Sequence, residues 1–197
     1  MGRLLDSDDS APEVAKSVGI AEKLAFKSRF VLVFGEIEHE LARVTCERLM
    51  ALAEESDAPI RVLVSSPGGH VESGDAIHDM IRFVRAPITT IGTGWVASAG
   101  THIFLAAPKE RRVCLPNTRF MIHQPGGGAG GRASDIAIQA KEMLRTRERV
   151  ARVIARETGQ PLAKVSADMD RDYWMNAEEA IEYGIVSRVV KGHQELV

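Results

Sequence analysis

Ile60–Val84 reads IRVLVSSPGGHVESGDAIHDMIRFV, and its two halves carry different periods. Ile60 to Val64 is a short apolar run rich in β-branched residues, the pattern of a buried strand. Ser65-Ser66-Pro67-Gly68-Gly69-His70 follows as a turn. From His70 to Val84 the residues Val71, Ala76, Ile77, Met80, Ile81 and Val84 recur at helical spacing. This stretch is therefore one β-α unit, and the same alternation extends from it in both directions. Upstream, Phe30 to Phe34 predicts a strand. Glu40 to Glu55 predicts a helix through Leu41, Val44, Leu49 and Leu52. Downstream, Ile88 to Ile91 predicts a strand, Ser98 to Ala107 a helix and Arg119 to Ile122 a strand. A long helix follows over Ala133 to Glu157, then short helices at Leu162 to Met169 and Ala177 to Tyr183, and a last strand at Val186 to Val190. Such alternation predicts an α/β fold with a mainly parallel sheet.

The chain has 197 residues, enough for one sizeable core. Residues 28–197 are read as that domain and residues 1–27 as a loosely ordered N-terminal arm, with a short helix over Glu13 to Phe26. A net charge of −2 gives no electrostatic footprint for nucleic acid. The N-terminal residues carry acids where a secretory signal is apolar, and no run of roughly 18 apolar residues occurs. No membrane segment is expected. Cys46 and Cys114 have neither metal-ligand nor redox spacing, which favours a cytoplasmic setting with reduced thiols. The long helix spans about 36 Å, against a radius of gyration of about 16 Å for such a domain. It is therefore expected to project and to present Ile136, Ala140, Met143, Leu144, Val150 and Ile154 to a neighbouring subunit, the alternative being a helix that lies across its own core.

Two glycine patterns mimic a dinucleotide fingerprint: Gly126, Gly128 and Gly131, and Gly92, Gly94 and Ala97. Neither has the required acid at the end of a following strand, and no phosphate-binding P-loop occurs. No cofactor or metal is expected.

Four places could carry chemistry. Ser98 follows a strand and opens a helix among small neighbours, Ala97, Ala99 and Gly100, at a position where backbone N–H groups favour negative charge. His123 ends an apolar strand before a glycine run, and imidazole is the base that serine activation needs. Asp168, Asp170 and Asp172 each offer a carboxylate to orient such a base, and the local sequence does not choose among them. The N–H groups of Gly69 and Ala99 are candidates for holding a tetrahedral oxyanion. Singly, each place reads as ordinary structure: a helix cap, a strand-end histidine, solvated acids and a glycine turn.

Taken in order, SSPGGHV, GWVASAGT, MIHQPGGG and DRDYWMNAEEAIEYGIV resemble the Clp protease proteolytic subunit (ClpP) family, from about Phe30 to Val190. The resemblance implies a crotonase-like fold of repeated β-β-α units, with the long helix as a protruding handle. It implies a serine endopeptidase with Ser98 as nucleophile, His123 as base and Asp172 as third member. It implies Gly69 and Ala99 as oxyanion donors, and Gly126, Gly127 and Gly128 in a strand that binds substrate backbone. It further implies a homo-oligomer of two stacked heptameric rings bridged by Asp170 and Arg171, fed with unfolded polypeptide by an ATP-driven (AAA+) unfoldase. Ala99 stands where the family often has Met, so a roomier or differently shaped pocket is expected. Trp95 and Val96 are bulkier than usual, and Arg61 and Leu63 replace tyrosines of the unfoldase groove. The rival readings are a crotonase-fold enzyme acting on acyl-CoA, a catalytically silent ring subunit and, last, a membrane-anchored peptidase with a serine-lysine dyad.

Overall fold

The structure, a computed structural model, describes residues 10–196, with side chains described from residue 19 onward. Helix α1 (Ser10–Lys27) leads into strand β1 (Phe30–Phe34), helix α2 (His39–Glu55), β2 (Ile60–Ser66), α3 (Val71–Phe83), β3 (Ile88–Ala97) and α4 (Ala99–Phe104). After a short turn come β4 (Arg112–Cys114), β5 (Arg119–Ile122), the long α5 (Ala133–Thr158), α6 (Leu162–Asp168), β6 (Tyr173–Met175), α7 (Ala177–Tyr183) and β7 (Arg188–Val189). The arm expected at residues 1–27 is helical from Ser10 and lies against β1, with Glu22 paired to Arg48 of α2 at 2.9 Å. Residues 1–9 lie outside the described residues.

The parallel strands run in the order β1-β2-β3-β4-β7. Every second residue of β2 (Ile60, Val62, Val64, Ser66) is buried against the helical layer, and Leu49, Leu52, Ile77 and Ile103 complete that core from the helices. β3 is longer than its apolar run suggests. Its first half pairs with β4 through Thr90–Gly92, and its second half pairs with β5 through Trp95–Ala97. Between them the register with β2 jumps, so that Val64 faces Gly92 but Ser66 faces Val96. Gly94, at φ +59°, sits in this bulge, a backbone shape that glycine adopts without steric cost. The bulge turns the end of β3 toward β5, and the last sheet pair, β5 with β6, is antiparallel.

Three differences from the expected elements have simple causes. The helix predicted over Ser98–Ala107 is confined to Ala99–Phe104, because Ser98 is taken by the turn out of β3. Strands β4 and β6 are three residues each, too short to show a period. Gly126–Gly128, expected in a strand, form no ladder among the described residues: the segment after β5 is irregular up to α5, and a strand needs a pairing backbone.

Helix α5 has 26 residues, about 39 Å of axis. Only its C-terminal part is buried, through Ala151, Ile154 and Thr158. Toward its N-terminus Ile136, Ile138 and Leu144 are exposed.

Candidate active site

Strand register brings the candidate residues together. Ala97 pairs with Met121 across β3–β5, and Ile122 pairs with Tyr173 across β5–β6. The next residue beyond each ladder is Ser98, His123 and Asp172. Three side chains distant in sequence therefore emerge at one end of three adjacent strands.

Ser98 turns the chain sharply from β3 into α4. Its backbone lies at φ +55° and ψ −120°, a conformation L-residues rarely take, as at strand-to-helix nucleophile elbows. Several bonds hold it there. Ser98 N–H donates to Met121 O at 2.9 Å, and His102 N–H donates to Ser98 O at 3.2 Å. The buried Thr101 hydroxyl is shared between Val96 O and Met121 O, each at 2.8 Å. Gly68 packs directly on the serine, since a Cβ placed on it would stand 2.6 Å from Ser98 Cβ. Thr101 carries no signal in the sequence, and Gly68 is visible there only as a turn residue.

His123 Nε2 lies 2.7 Å from Ser98 Oγ, and its Nδ1 lies 3.0 Å from Asp172 Oδ1. A carboxylate can only accept, so Nδ1–H donates to Asp172 and the bare Nε2 accepts from the Ser98 hydroxyl. This is the arrangement in which imidazole takes a proton from serine. The His123 side chain is 30% exposed and that of Asp172 61%, so water reaches the carboxylate in the isolated chain.

The three aspartates left open by the sequence have distinct partners. Asp168 accepts from the Tyr183 hydroxyl at 2.8 Å and from Lys164 at 2.6 Å. The Asp170 carboxylate lies 3.4 Å from Arg147 Nη2 of α5 and 3.4 Å from Gln124 Nε2. Asp172 alone meets His123. Gln124, not singled out by the sequence, fixes the intervening turn: its N–H donates to Met169 O at 2.6 Å and its side chain to Asp170 O at 2.9 Å. Arg171 forms no ion pair among the described residues.

Gly69 (φ +146°) and Ala99 flank the serine from the turn after β2 and from the first position of α4. Among the described residues, no loop, turn or cap bond uses either N–H. A side chain at Gly69 would meet Ile37 O at an impossibly short distance, and this close approach explains the glycine. On the other sheet face, Trp95 of β3 stacks on Trp174 of β6 (ring centroids 6.5 Å apart), and Arg119 of β5 lies 4.4 Å over Trp174. That stack ties together the three strands that carry the site.

A pocket of about 30 Å³ opens beside Ser98, lined by Val71, Ala99, His102, Ile122, Val150 and Ile154 among others. It is small although Ala99 is short, and Val150 and Ile154 of α5 are among its walls. Gly74 of α3 also packs close, within 3.2 Å of Ala99 Cβ for an added Cβ.

Arg61 and Leu63 lie on β2, paired with Phe30 and Leu32 of β1. The Arg61 guanidinium lies 5.5 Å over the Phe30 ring and borders a cavity of about 590 Å³ lined by Leu24, Phe30 and Leu32.

The Clp protease family model matches residues 13–193. The chain is 54% identical over 191 residues to the ATP-dependent Clp protease proteolytic subunit 3 of Rhizobium johnstonii, covering 97% of this chain and 98% of that protein. It is 58% identical to the subunit of the same name from Rhizobium meliloti over 171 residues, 87% of this chain and 88% of that protein. Among solved structures it superimposes on ClpP1 from Listeria monocytogenes with a TM-score of 0.81 at 47% identity, covering 90% of this chain and 99% of that one.

Proposed function

The chain belongs to the Clp protease family, a family of serine peptidases with this α/β fold, and from that premise we propose that Ser98, His123 and Asp172 form its catalytic triad, cleaving unfolded polypeptides. The observation that carries the proposal is the 2.7 Å contact of His123 Nε2 with the hydroxyl of a serine held at positive φ, with Nδ1 on Asp172. In the reaction, Ser98 Oγ attacks the scissile carbonyl while His123 takes its proton. The tetrahedral oxyanion accepts from the N–H groups of Gly69 and Ala99. His123 then protonates the leaving amine, and water hydrolyses the acyl-enzyme by the same base.

Gly126, Gly127 and Gly128 bind substrate backbone in this reading. Their lack of a ladder partner among the described residues supports it, since an extended peptide can supply the missing strand. The chain assembles with its own kind into two stacked seven-membered rings. The exposed apolar residues of α5 support pairing through that helix, and Asp170 and Arg171 are the proposed ring–ring contacts. An ATP-driven unfoldase is the proposed feeder, in keeping with the relatives' names. It would dock at the cavity beside Arg61.

A fluorophosphonate probe tests the site. It is expected to label Ser98 in the wild type and to fail in Ser98→Ala and His123→Ala, with hydrolysis of a short fluorogenic peptide lost in both. Labelling at another serine overturns the assignment. Native mass measurement tests the assembly, and a mass other than fourteen subunits excludes the paired heptamers.

A further inference from the structure

Beneath the pocket beside Ser98 lies a charged cluster that the triad does not use. Asp75 of α3 accepts from Arg149 Nη1 of α5 at 2.7 Å, and its carboxylate lies 2.9 Å from His102 Nε2 of α4. His102 is nearly fully buried and stacks on buried His78, with ring centroids 4.4 Å apart. Burial works against the Asp75 charge, but the bonds from His102 and Arg149 outweigh it and hold the carboxyl well below the usual carboxylate range.

The placement of these residues gives the cluster its meaning. Each helix that contributes a member also contributes a pocket wall close by. Val71 lies one turn before Asp75 on α3, and Ala99 and His102 share α4. On α5, Val150 follows Arg149, and Ile154 lies one turn beyond Val150. One carboxylate thus joins three helices at the point where their side chains define a space of about 30 Å³. One water molecule needs roughly 10–15 Å³ of such space, so the pocket admits only a small group.

We propose that Asp75 is a positioning residue for substrate selection: through His102 and Arg149 it clamps the base of α5 onto the pocket and restricts the substrate residue before the cut to small side chains. Releasing the clamp lets Val150 and Ile154 retreat and admits larger ones. The proposal rests on Ser98 being the nucleophile, since the pocket is defined by its position next to that hydroxyl.

The test uses the full-length, assembled protein. Peptides differing only in the residue before the cut (Ala, Leu or Phe) are assayed with the wild type, Asp75→Asn, Arg149→Ala and the charge-retaining Arg149→Lys. The wild type is expected to prefer Ala. Asp75→Asn and Arg149→Ala are expected to raise kcat/KM for Phe relative to Ala by about tenfold, through KM, with Arg149→Lys close to wild type. A wild type indifferent to side-chain size overturns the clamp. So does a ratio within twofold of wild type in both variants while their Ser98 labels normally. Hydrogen exchange over residues 143–156 reads the clamp without catalysis and is expected to be at least tenfold faster in Asp75→Asn. If the wild type neither labels nor cleaves, the Ser98 assignment fails, and unchanged exchange in that segment still overturns the clamp by itself.

Discussion

Gly68→Ala tests how tightly the turn after β2 holds the serine. The added methyl carbon would stand 2.6 Å from Ser98 Cβ, 3.0 Å from Ser98 Oγ and 3.1 Å from Ala97 O. To regain an ordinary contact of 3.4 Å, Ser98 or the turn must retreat by about 0.8 Å. Neither moves freely. Ser98 is fixed by Met121 O and by the α4 hydrogen bonds, while the turn is fixed by Ile37, whose N–H donates to Gly68 O at 2.8 Å. Gly68 also lies at φ +103°, where an alanine is strained. Overpacking costs about 1–3 kcal/mol and the backbone about 1–2 kcal/mol more, so a loss of about 3 kcal/mol is expected. For a chain of this size that lowers Tm by about 6–12 °C. A misplacement approaching 1 Å costs on the order of 10²-fold in rate, so fluorophosphonate labelling is expected to slow by about that factor. Gly130→Ala is the control: it has negative φ and nothing within 4 Å of an added Cβ, and it should leave both quantities unchanged. Wild-type labelling and Tm in Gly68→Ala would refute the argument that this turn positions the proposed nucleophile.

Asp172→Asn keeps the shape but offers His123 an amide in place of an anion. It is expected to lower kcat by roughly 10⁴-fold with little change in KM, checked by steady-state hydrolysis of a fluorogenic peptide; a loss below tenfold would remove Asp172 from the proposed triad. His78 is buried, and its burial and the neighbouring His102 push its pKa down to about 4 from an ordinary value near 6.5. The folded state therefore keeps it neutral while the unfolded chain binds a proton, so its stability contribution is complete above about pH 6.5 and is lost as pH falls toward 4. Asp75, also depressed, acts only below its ordinary carboxylate range and leaves that window to His78. His78→Phe is expected to flatten the fall in Tm between pH 7 and 4.5, removing up to about 3 kcal/mol of acid sensitivity; a slope equal to wild type would refute the assignment. Trp174→Ala deletes a stack and a cation–π contact and is expected to cost about 2 kcal/mol, near 6 °C in Tm. It should also slow Ser98 labelling although Trp174 does not touch the serine. Unchanged labelling would show that the strands keep their register without it.

The parts of the molecule with a long period were legible in the sequence, and the parts made by pairing were not. The α2, α3 and α5 helices and the first two strands carry repeating apolar positions that a single chain displays on its face. β6 has three residues, and its place is set by a partner 50 residues away in sequence or more, as Met175 pairs with Phe120. No local pattern encodes that. The same limit left Asp168, Asp170 and Asp172 indistinguishable, for each is an acid in a polar turn. Only the pairing of Ile122 with Tyr173 determines that Asp172 is next in line with His123, while Tyr183 and Lys164 occupy Asp168. The charge cluster of Asp75, His102 and Arg149 was hidden for a related reason. Its members sit on three helices, and each looks like a surface residue until those helices pack.

The geometry of the proposed triad is therefore a consequence of register. Alternate residues of a strand point to opposite faces, so a slip of one residue in β6 would turn Asp172 away from His123 and present Arg171 or Tyr173 instead. Burial of β6 side chains alone is a weak guard, since of its three residues only Met175 is buried. The guard lies on the outer face, where Trp95, Arg119 and Trp174 interlock, and in Gln124, which bonds the turn before Asp172 at Met169 O and Asp170 O. Bulky Trp95, which looks like a mere departure when read beside Ser98, becomes intelligible here. It holds in alignment a strand too short to hold itself.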